Sequence, residues 1–445
     1  MGPRTRRCVA LLALLASCGV VSAGPAGASS GDPDRPWFAN PGDAVYEYSV
    51  TPERDPARWA ALMSAGQAVA ALQIPRRQLR SMTTSELLAA VLDYPLLGNF
   101  QAYDSPQEGL VTLTRESAAL GELLRREDTP RVVVEAYSTV DLVRMAQTED
   151  FPTIEIAFLE LLLAQPEILD RLSQEGRRGL VSAVLDQWAV KQSAFAEPVY
   201  GEAGSALVVM RSLSRDSAEF AARARADVAA ASFIESGAQA ATGPTLGMPA
   251  AGALVAGLQI AYGLDQVGLA EPSPSLSGER GSADVRAVPM LEPGQVNVYT
   301  PKDTPVAVTI SVREPLTAVQ IQENNMWIMR SYPNAVMLRG STGMYNCHSY
   351  AWHSQATSNR AWMNNPSAYM TDGSYRRVVS TGYVSTVPSA APVNARVFYV
   401  GGNHSAIRFS STRVVSKWGV YGLMRHAPNY TPYFTTTGLT YWTAS

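Results

Sequence analysis

The chain has 445 residues, of which 46% are hydrophobic and 17% are charged, and its formal net charge is −3. This composition is that of an ordinary soluble globular protein, which excludes a polytopic membrane protein, a disordered chain and a coiled coil over the whole length. The length predicts two or three domains, and the three cysteines are too few for a disulfide scaffold.

Residues 1–23 have the pattern of an export signal. Three arginines precede an apolar stretch that is too short for a membrane span, and Val21-Ser-Ala23 fits a small-residue cleavage site. Lipidation is the alternative, since Leu15-Ala16-Ser17-Cys18 resembles a bacterial lipobox and would leave an acylated Cys18 at the start of the mature chain. Both predict a secreted, extracellular or cell-wall protein, and a lipid on Cys18 would be its sole membrane contact. Export leaves Cys347 as the one free thiol.

Residues 24–49 form a Gly-, Ser- and Pro-rich lead that we expect to be mobile, and residues 50–270 are predicted to form an irregular all-α domain. Two capping-box patterns, Thr83-x-x-Glu86 and Ser105-Pro-Gln-Glu108, mark helix starts there. Alanine and leucine recur at helical spacing in Arg58–Leu72, Leu87–Leu92, Leu110–Leu124 and Leu180–Ala189.

The uncharged segment Gly243–Leu264 contains Pro249 and several glycines, so it predicts a close-packed helix hairpin rather than a membrane span. Residues 271–295 are rich in Pro, Ser and Gly and predict a linker. After it, residues 296–445 are predicted to form an α+β domain with a small antiparallel sheet. Its expected elements are a strand over Val306–Val312, a helix over Pro315–Arg330, and strands at Arg396–Val400, Ser405–Phe409 and Arg413–Ser416.

Charge divides at the same boundary. Residues 24–290 contain 21 basic and 34 acidic side chains, a net charge of −13, whereas residues 291–445 contain 12 basic and five acidic ones, a net charge of +7. Either the two regions dock through complementary fields, or the basic region works on an anionic polymer. Nucleic acid is not expected as a partner, because export separates the chain from it and no recognition motif is present.

The reactive side chains are concentrated in the last quarter of the chain. Cys347 lies there with all four histidines, His348, His353, His404 and His426. Asn346 is a good N-cap, which places Cys347 in the first turn of a helix. The helix dipole and the free N–H groups of that turn favour a thiolate, and the Cys347 N–H would help to bind an oxyanion.

His404 is the predicted general base, because it follows a glycine turn and begins a strand, from which an imidazole can face a thiol on a helix. No Asp or Glu follows Asp372, so an orienting residue downstream of His404 must be neutral. Ser416, on the next predicted strand, is the first candidate for that role, His426 is the second, and Asn429 is a further rival.

The remaining histidines are predicted to be structural. His348 is adjacent to Cys347 and would point to another face of the helix, and His353 is more than a turn and a half away. A metal site built from Cys347 and these histidines is disfavoured, since the five-residue spacing of His348 and His353 does not suit one helical face and the nearest carboxylate, Asp372, is alone. No metal and no other cofactor is therefore predicted.

The motif around the thiol resembles a known family. Asn346-Cys347 stands where members usually have Asp-Cys-Ser-Gly, His404-Ser-Ala-Ile resembles their His-Val-Gly-Ile segment, and Ser416 lies 12 residues after His404, where members place a third polar group. Over about residues 340–430 the chain thus resembles the papain-fold cysteine hydrolases of the NlpC/P60 and CHAP type. Tyr345–Trp352 also looks like a segment of a group of exported bacterial proteins without an assigned activity.

The resemblance implies a papain-like domain and an exported thiol hydrolase, an amidase or peptidase, acting on a peptide or on the bacterial cell-wall polymer. Cys347 would attack the carbonyl, His404 would carry the proton, and Ser416 would hold the imidazole. The alternative is an inactive papain-like protein that binds the wall or another partner. Transferase and deamidase chemistry begin with the same acyl-thioenzyme and stay open, as does the oligomeric state.

Overall fold

The computed structural model describes residues 45–147, 152–193, 200–237, 258–259, 261–263, 295–310 and 316–445, all in one compact unit. The predicted export signal with Cys18, nearly all of the lead and the linker, and most of Gly243–Leu264 lie outside these residues. The structure is a mixture of helix and strand, which confirms the predicted class at that level. In the parts of the chain that are described, no helix is both long and apolar enough to cross a bilayer.

The regular elements in the described residues from 45 to 237 are helices. Several begin at a side chain that accepts a backbone N–H of the next turn, as at Asp55, Thr83, Ser105, Ser117, Ser217 and Asp227. The α-helices are Pro56–Ala65, Ala68–Ala71, Arg76–Ser81, Thr84–Leu92, Pro106–Glu116, Ala118–Arg125, Thr129–Ser138, Leu142–Gln147, Thr153–Leu163, Pro166–Leu169, Gln174–Ser193, Ala203–Asp216, Ala218–Ala226 and Val228–Ser236, and Leu97–Ala102 is a 3-10 helix.

The capping box at Thr83 is formed as the sequence predicts. Thr83 Oγ1 accepts from the Glu86 N–H at 3.2 Å, and the Glu86 carboxylate accepts from the Thr83 N–H at 2.8 Å. We expect Thr83→Ala to lower the free energy of unfolding by about 1 kcal/mol, measured by urea denaturation. Ser81→Ala is the control, because its exposed hydroxyl only bonds Gln78 O; equal losses in the two variants would contradict the prediction.

The second capping box is half formed. Ser105 accepts from the Glu108 N–H at 3.2 Å, as predicted. The Glu108 carboxylate, however, accepts from Asn403 Nδ2 at 3.0 Å and from the backbone N–H of Asp104 rather than completing the box. Glu108 is therefore a contact between the helical region and the strand region, which its local sequence does not indicate.

The strands in the described part of the chain form two antiparallel sheets. β1 (Gln295–Tyr299), β2 (Pro305–Ile310) and β4 (Ala361–Trp362) make a three-stranded sheet in the order β1-β2-β4. The other sheet has the order β3-β9-β8-β7-β6-β10-β5. Its strands are β3 (Val336–Arg339), β5 (Tyr375–Gly382), β6 (Arg396–Val400), β7 (His404–Arg408), β8 (Val414–Lys417), β9 (Leu423–His426) and β10 (Gly438–Ala444). The remaining helices are Ala318–Ser331, Ser367–Thr371 and the π-helix Ser349–His353.

The two faces of the larger sheet carry different cores. In an antiparallel sheet, residues paired across strands share a face, so the pairs Tyr399↔His404 and Val397↔Ala406 lie on one side. That side packs around Val414, Leu439 and Tyr441. The opposite side, which includes Ile407, Val415 and Leu423, packs against Tyr350, Ala351 and Trp352 of the turn that follows Cys347.

The helical region contacts the sheet region through the 3-10 helix Leu97–Ala102. Tyr421 Oη donates to Gly98 O at 2.7 Å, and Tyr433 Oη donates to Ala102 O at 2.7 Å. The approach is close, since a Cβ at Gly98 would lie 2.7 Å from the Trp327 ring. An exposed ion pair joins Glu53 to Arg330 at 2.9 Å. The buried hydrogen bonds between the helical region and the sheet region thus join tyrosine hydroxyls to backbone carbonyls. The ion pair between the two regions is on the surface.

Candidate functional site

Cys347 begins a short helical turn that continues into the π-helix Ser349–His353. Asn346 Oδ1 accepts from the Ser349 N–H at 3.1 Å, which confirms Asn346 as the cap of this turn. The Asn346 side chain also makes two hydrogen bonds to the backbone of Met363, the residue after β4. The Met363 N–H donates to Asn346 Oδ1 at 3.1 Å, and the Met363 carbonyl accepts from Asn346 Nδ2 at 2.7 Å. The cap therefore holds the start of the turn rigidly.

The thiol of Cys347 is buried, with 2% of the residue exposed. Burial raises its pKa well above the ordinary value, and the nearby carboxylates of Asp104 and Glu108 raise it further. The backbone N–H groups of Ser405 and His348 oppose this shift by stabilising the thiolate. Desolvation outweighs the helix start, so the thiol is protonated at neutral pH, contrary to the thiolate expected from the sequence.

His404 is the first residue of β7, as the sequence indicates, and it is fully buried. Its ring stacks on Tyr433 with 3.8 Å between centroids and meets Tyr399 edge-on at 4.7 Å. Among the described residues neither ring nitrogen has a hydrogen-bond partner, so His404 is not bonded to the thiol in this conformation. Burial, followed by His426 and His348, holds its pKa well below the usual range, and the ring is neutral.

Ser416 and His426 bond to each other rather than to His404. His426 Nδ1 lies 2.8 Å from Ala427 O, which can only accept, so Nδ1 carries the proton. Ser416 Oγ therefore donates to His426 Nε2 at 2.7 Å, and it accepts from Trp418 Nε1 at 2.9 Å. Burial lowers the pKa of His426 to about 3. Ser416 is on β8, next to β7, and His426 is on β9, one strand further away, and the polar groups of both are already used.

His348 belongs to a chain of hydrogen bonds with a defined direction. Asn403 Nδ2 donates to carboxylates, so Asn403 Oδ1 accepts from His348 Nε2 at 3.1 Å. His348 Nδ1 then accepts from Ser405 Oγ at 2.8 Å, and Ser405 Oγ accepts from Trp352 Nε1 at 2.9 Å. Burial lowers the pKa of His348 to about 4, which keeps this single neutral tautomer at pH 7.

The helical region supplies two acids that the sequence did not point to. Asp104 Oδ1 accepts from Asn346 Nδ2 at 2.9 Å, and Asp104 Oδ2 accepts from Asn403 Nδ2 at 3.2 Å. Glu108 joins through Asn403, as described above, and burial raises its pKa. Asp104 and Asn346 are 242 positions apart, and no local pattern links them. The sequence position of Asn403, directly before the predicted base His404, is the local feature that could have pointed to this network.

His353 is exposed and lies outside this network. Within the described residues, no group of three or more His, Cys, Asp and Glu side chains is arranged to hold a metal ion.

No family model matches the chain, and no curated protein or solved structure is detectably similar to it.

Proposed function

We propose that the chain is an exported thiol hydrolase that cleaves amide or peptide bonds, with a papain-like region around Cys347 and His404. The observation that supports this is the placement of Cys347 at the start of a capped turn that packs on an antiparallel sheet beside the strand that His404 begins. A helix-borne thiol and a strand-borne imidazole are the two parts of a Cys-His dyad. The resemblance of the surrounding motif to NlpC/P60 and CHAP hydrolases agrees with this proposal.

The proposed reaction starts from a protonated Cys347 thiol and a neutral His404 imidazole. Cys347 Sγ attacks the substrate carbonyl carbon, its proton passes to a nitrogen of neutral His404, and His404 returns that proton to the leaving amine. Water then hydrolyses the thioester and regenerates the thiol. His404 is on the face of the sheet opposite the one that packs against the residues after Cys347, and it is not bonded to the thiol in this conformation, so substrate binding must bring the two side chains within hydrogen-bond reach.

The net charge of +7 over residues 291–445 favours an anionic substrate. A cell-wall polymer that carries peptide bonds has this property, and export places the chain where that polymer is. Ser416 can orient His404 only if it releases His426, so we assign orientation of the base to a rearranged state.

A second candidate function is binding without catalysis. It is favoured by the 2% exposure of Cys347 and by the raised pKa of its thiol, both of which oppose nucleophilic attack. In this case the region is a papain-like module that binds the wall polymer or a partner protein.

Hydrolysis is tested with the mature chain and purified cell wall, with released amino groups as the readout. We expect release by the wild type and a loss of about 10³-fold or more in Cys347→Ser and in His404→Gln, because either change removes one half of the dyad. His353→Gln is the control, since this exposed ring is outside the site. The binding function would be established instead if the wild type released no amino groups and if the wild type and Cys347→Ser were retained on the cell wall to the same extent.

A further inference from the structure

One carboxylate joins the two segments that carry the predicted nucleophile and base. Asn346 directly precedes Cys347, and Asn403 directly precedes His404. The two amide groups donate to the two oxygens of Asp104, at 2.9 and 3.2 Å. The bridge therefore runs from the start of the Cys347 turn to the start of β7 through a residue of the helical region.

We propose that Asp104 is a positioning residue that sets the separation between Cys347 and His404. This inference rests on the proposed function, and it adds that the thiol site is incomplete without the helical region. Asp104 acts through Asn346 and Asn403, which directly precede the nucleophile and the base.

The conformation of Asn403 shows why the base needs such support. Asn403 has a φ of 44°, in the left-handed region that non-glycine residues rarely adopt, and it follows Gly401, whose φ is 77°. A strained turn persists only when its surroundings hold it. Here the Asn403 side chain is held by Asp104, Glu108 and His348, so the direction in which β7 leaves the turn, and with it the position of His404, depends on these bonds.

The bridge also explains why the residue is a carboxylate. Both oxygens of Asp104 accept, and its side chain is 10% exposed, so water competes little for the two bonds. An asparagine at this position would turn an NH₂ group towards the NH₂ group of Asn346 or Asn403, and one bond would be lost. Glu108 differs, because it bonds Asn403 but not Asn346, and a glutamine there keeps a carbonyl oxygen that can still accept from Asn403 while both bonds of Asp104 stay in place.

The test compares Asp104→Asn with Glu108→Gln in the mature chain. Each variant removes one negative charge near the thiol, but only Asp104→Asn must break the bridge. We expect Asp104→Asn to lower kcat at least tenfold with KM within twofold, and to raise amide hydrogen exchange of residues 401–404 at least tenfold. Glu108→Gln should lose clearly less in both measurements. Glu127→Gln, an exposed change of the same charge, should match the wild type.

Two controls keep the outcomes distinct. Asp104→Glu retains two accepting oxygens and should recover part of the lost kcat, and exchange in the helix Gln174–Ser193 should stay at the wild-type rate in every variant. Unchanged kcat and exchange in Asp104→Asn, equal losses in Glu108→Gln, or a rise of exchange that includes Gln174–Ser193 would each overturn the inference. If the wild type has no turnover, the proposed hydrolase fails, and the exchange of residues 401–404 alone decides whether Asp104 holds the turn.

Discussion

Glu160→Gln is expected to lower the free energy of unfolding by about 3–5 kcal/mol, because it leaves the cation of Lys191 without its counter-charge inside the helical region. Lys191 Nζ and Glu160 Oε1 are 2.6 Å apart, and each side chain is 1% exposed. Tyr137 Oη and Ser205 Oγ also donate to Glu160 Oε1, at 2.7 and 2.6 Å. The loss is measured by urea denaturation at pH 7.

A surface pair provides the matched control for this change. Arg223 and Glu219 are 2.7 Å apart, close to the 2.6 Å of the buried pair, but their side chains are 58% and 57% exposed. Glu219→Gln should cost about 0.5 kcal/mol or less, because water solvates both partners. The double variant Glu160→Gln with Lys191→Met should recover much of the single-variant loss, since it buries no unpaired charge. Equal costs for Glu160→Gln and Glu219→Gln would contradict the argument.

The stability of the chain is expected to be greatest near pH 6–7 and to fall on both sides. The acidic side follows from His348, with a pKa of about 4, His426, with a pKa of about 3, and His404, whose pKa is also strongly lowered. In the unfolded chain these rings titrate near pH 6.5, so below that pH the unfolded state binds more protons than the folded state. The contribution of the neutral rings to the free energy of unfolding is therefore complete above pH 6.5, and it is lost as the pH falls towards 4.

Carboxyl groups whose pKa is raised by burial oppose the histidines, and Glu116 and Asp93 have larger shifts than Glu108. Burial raises the pKa of Glu116 to about 8 and that of Asp93 to about 6, so the folded state keeps these protons where the unfolded state has lost them. At pH 5–6 they offset about two of the three histidine protons, and the net slope is about 1.4 kcal/mol per pH unit. Above neutral pH the remaining Glu116 proton dominates, and stability falls as the pH rises through 8.

Glu116→Gln isolates the alkaline limb. Among the described residues Glu116 Oε1 has no hydrogen-bond partner, so its charge is poorly compensated once it ionises. We expect the variant to be more stable than the wild type at pH 9 by about 4 kcal/mol, relative to their difference at pH 5, and to lose stability more steeply below pH 6. Urea denaturation from pH 5 to 9 measures this, with exposed Glu127→Gln as control. Parallel curves for Glu116→Gln and wild type would refute the assignment.

The elements that sequence could predict are those set by neighbouring residues. Thr83 with Glu86, the alternation that gives β2, and Asn346 ahead of Cys347 each satisfy backbone groups or bury a face within a few positions of themselves. The structure therefore has a helix, a strand and a capped turn at these places. The specific papain-like architecture stays a proposal.

The features that sequence could not predict depend on packing between distant segments. The pKa of Cys347 is set by burial and by Asp104 and Glu108, which outweigh the local effect of a helix start. Likewise, Ser416 lies on β8 beside β7 as expected, yet its hydroxyl is hydrogen-bonded to His426 on β9, the strand on the other side of β8. Local rules give the position of a residue along an element, but the partner of its polar group is decided only when the sheet and the helices meet.

The bonds from Tyr421 and Tyr433 to the carbonyls of the 3-10 helix Leu97–Ala102 make the two regions unsuitable as exchangeable modules. A fragment that began at β1 would lose the acceptors of both hydroxyls and would uncover the stacked rings of Trp327 and Tyr421. Grafting the thiol region onto another helical partner would meet the same obstacle, because that partner would have to present backbone carbonyls in this arrangement and no Cβ at the position of Gly98. A folded chimera with another helical region would therefore have to keep residues 97–108 together with the seven-stranded sheet.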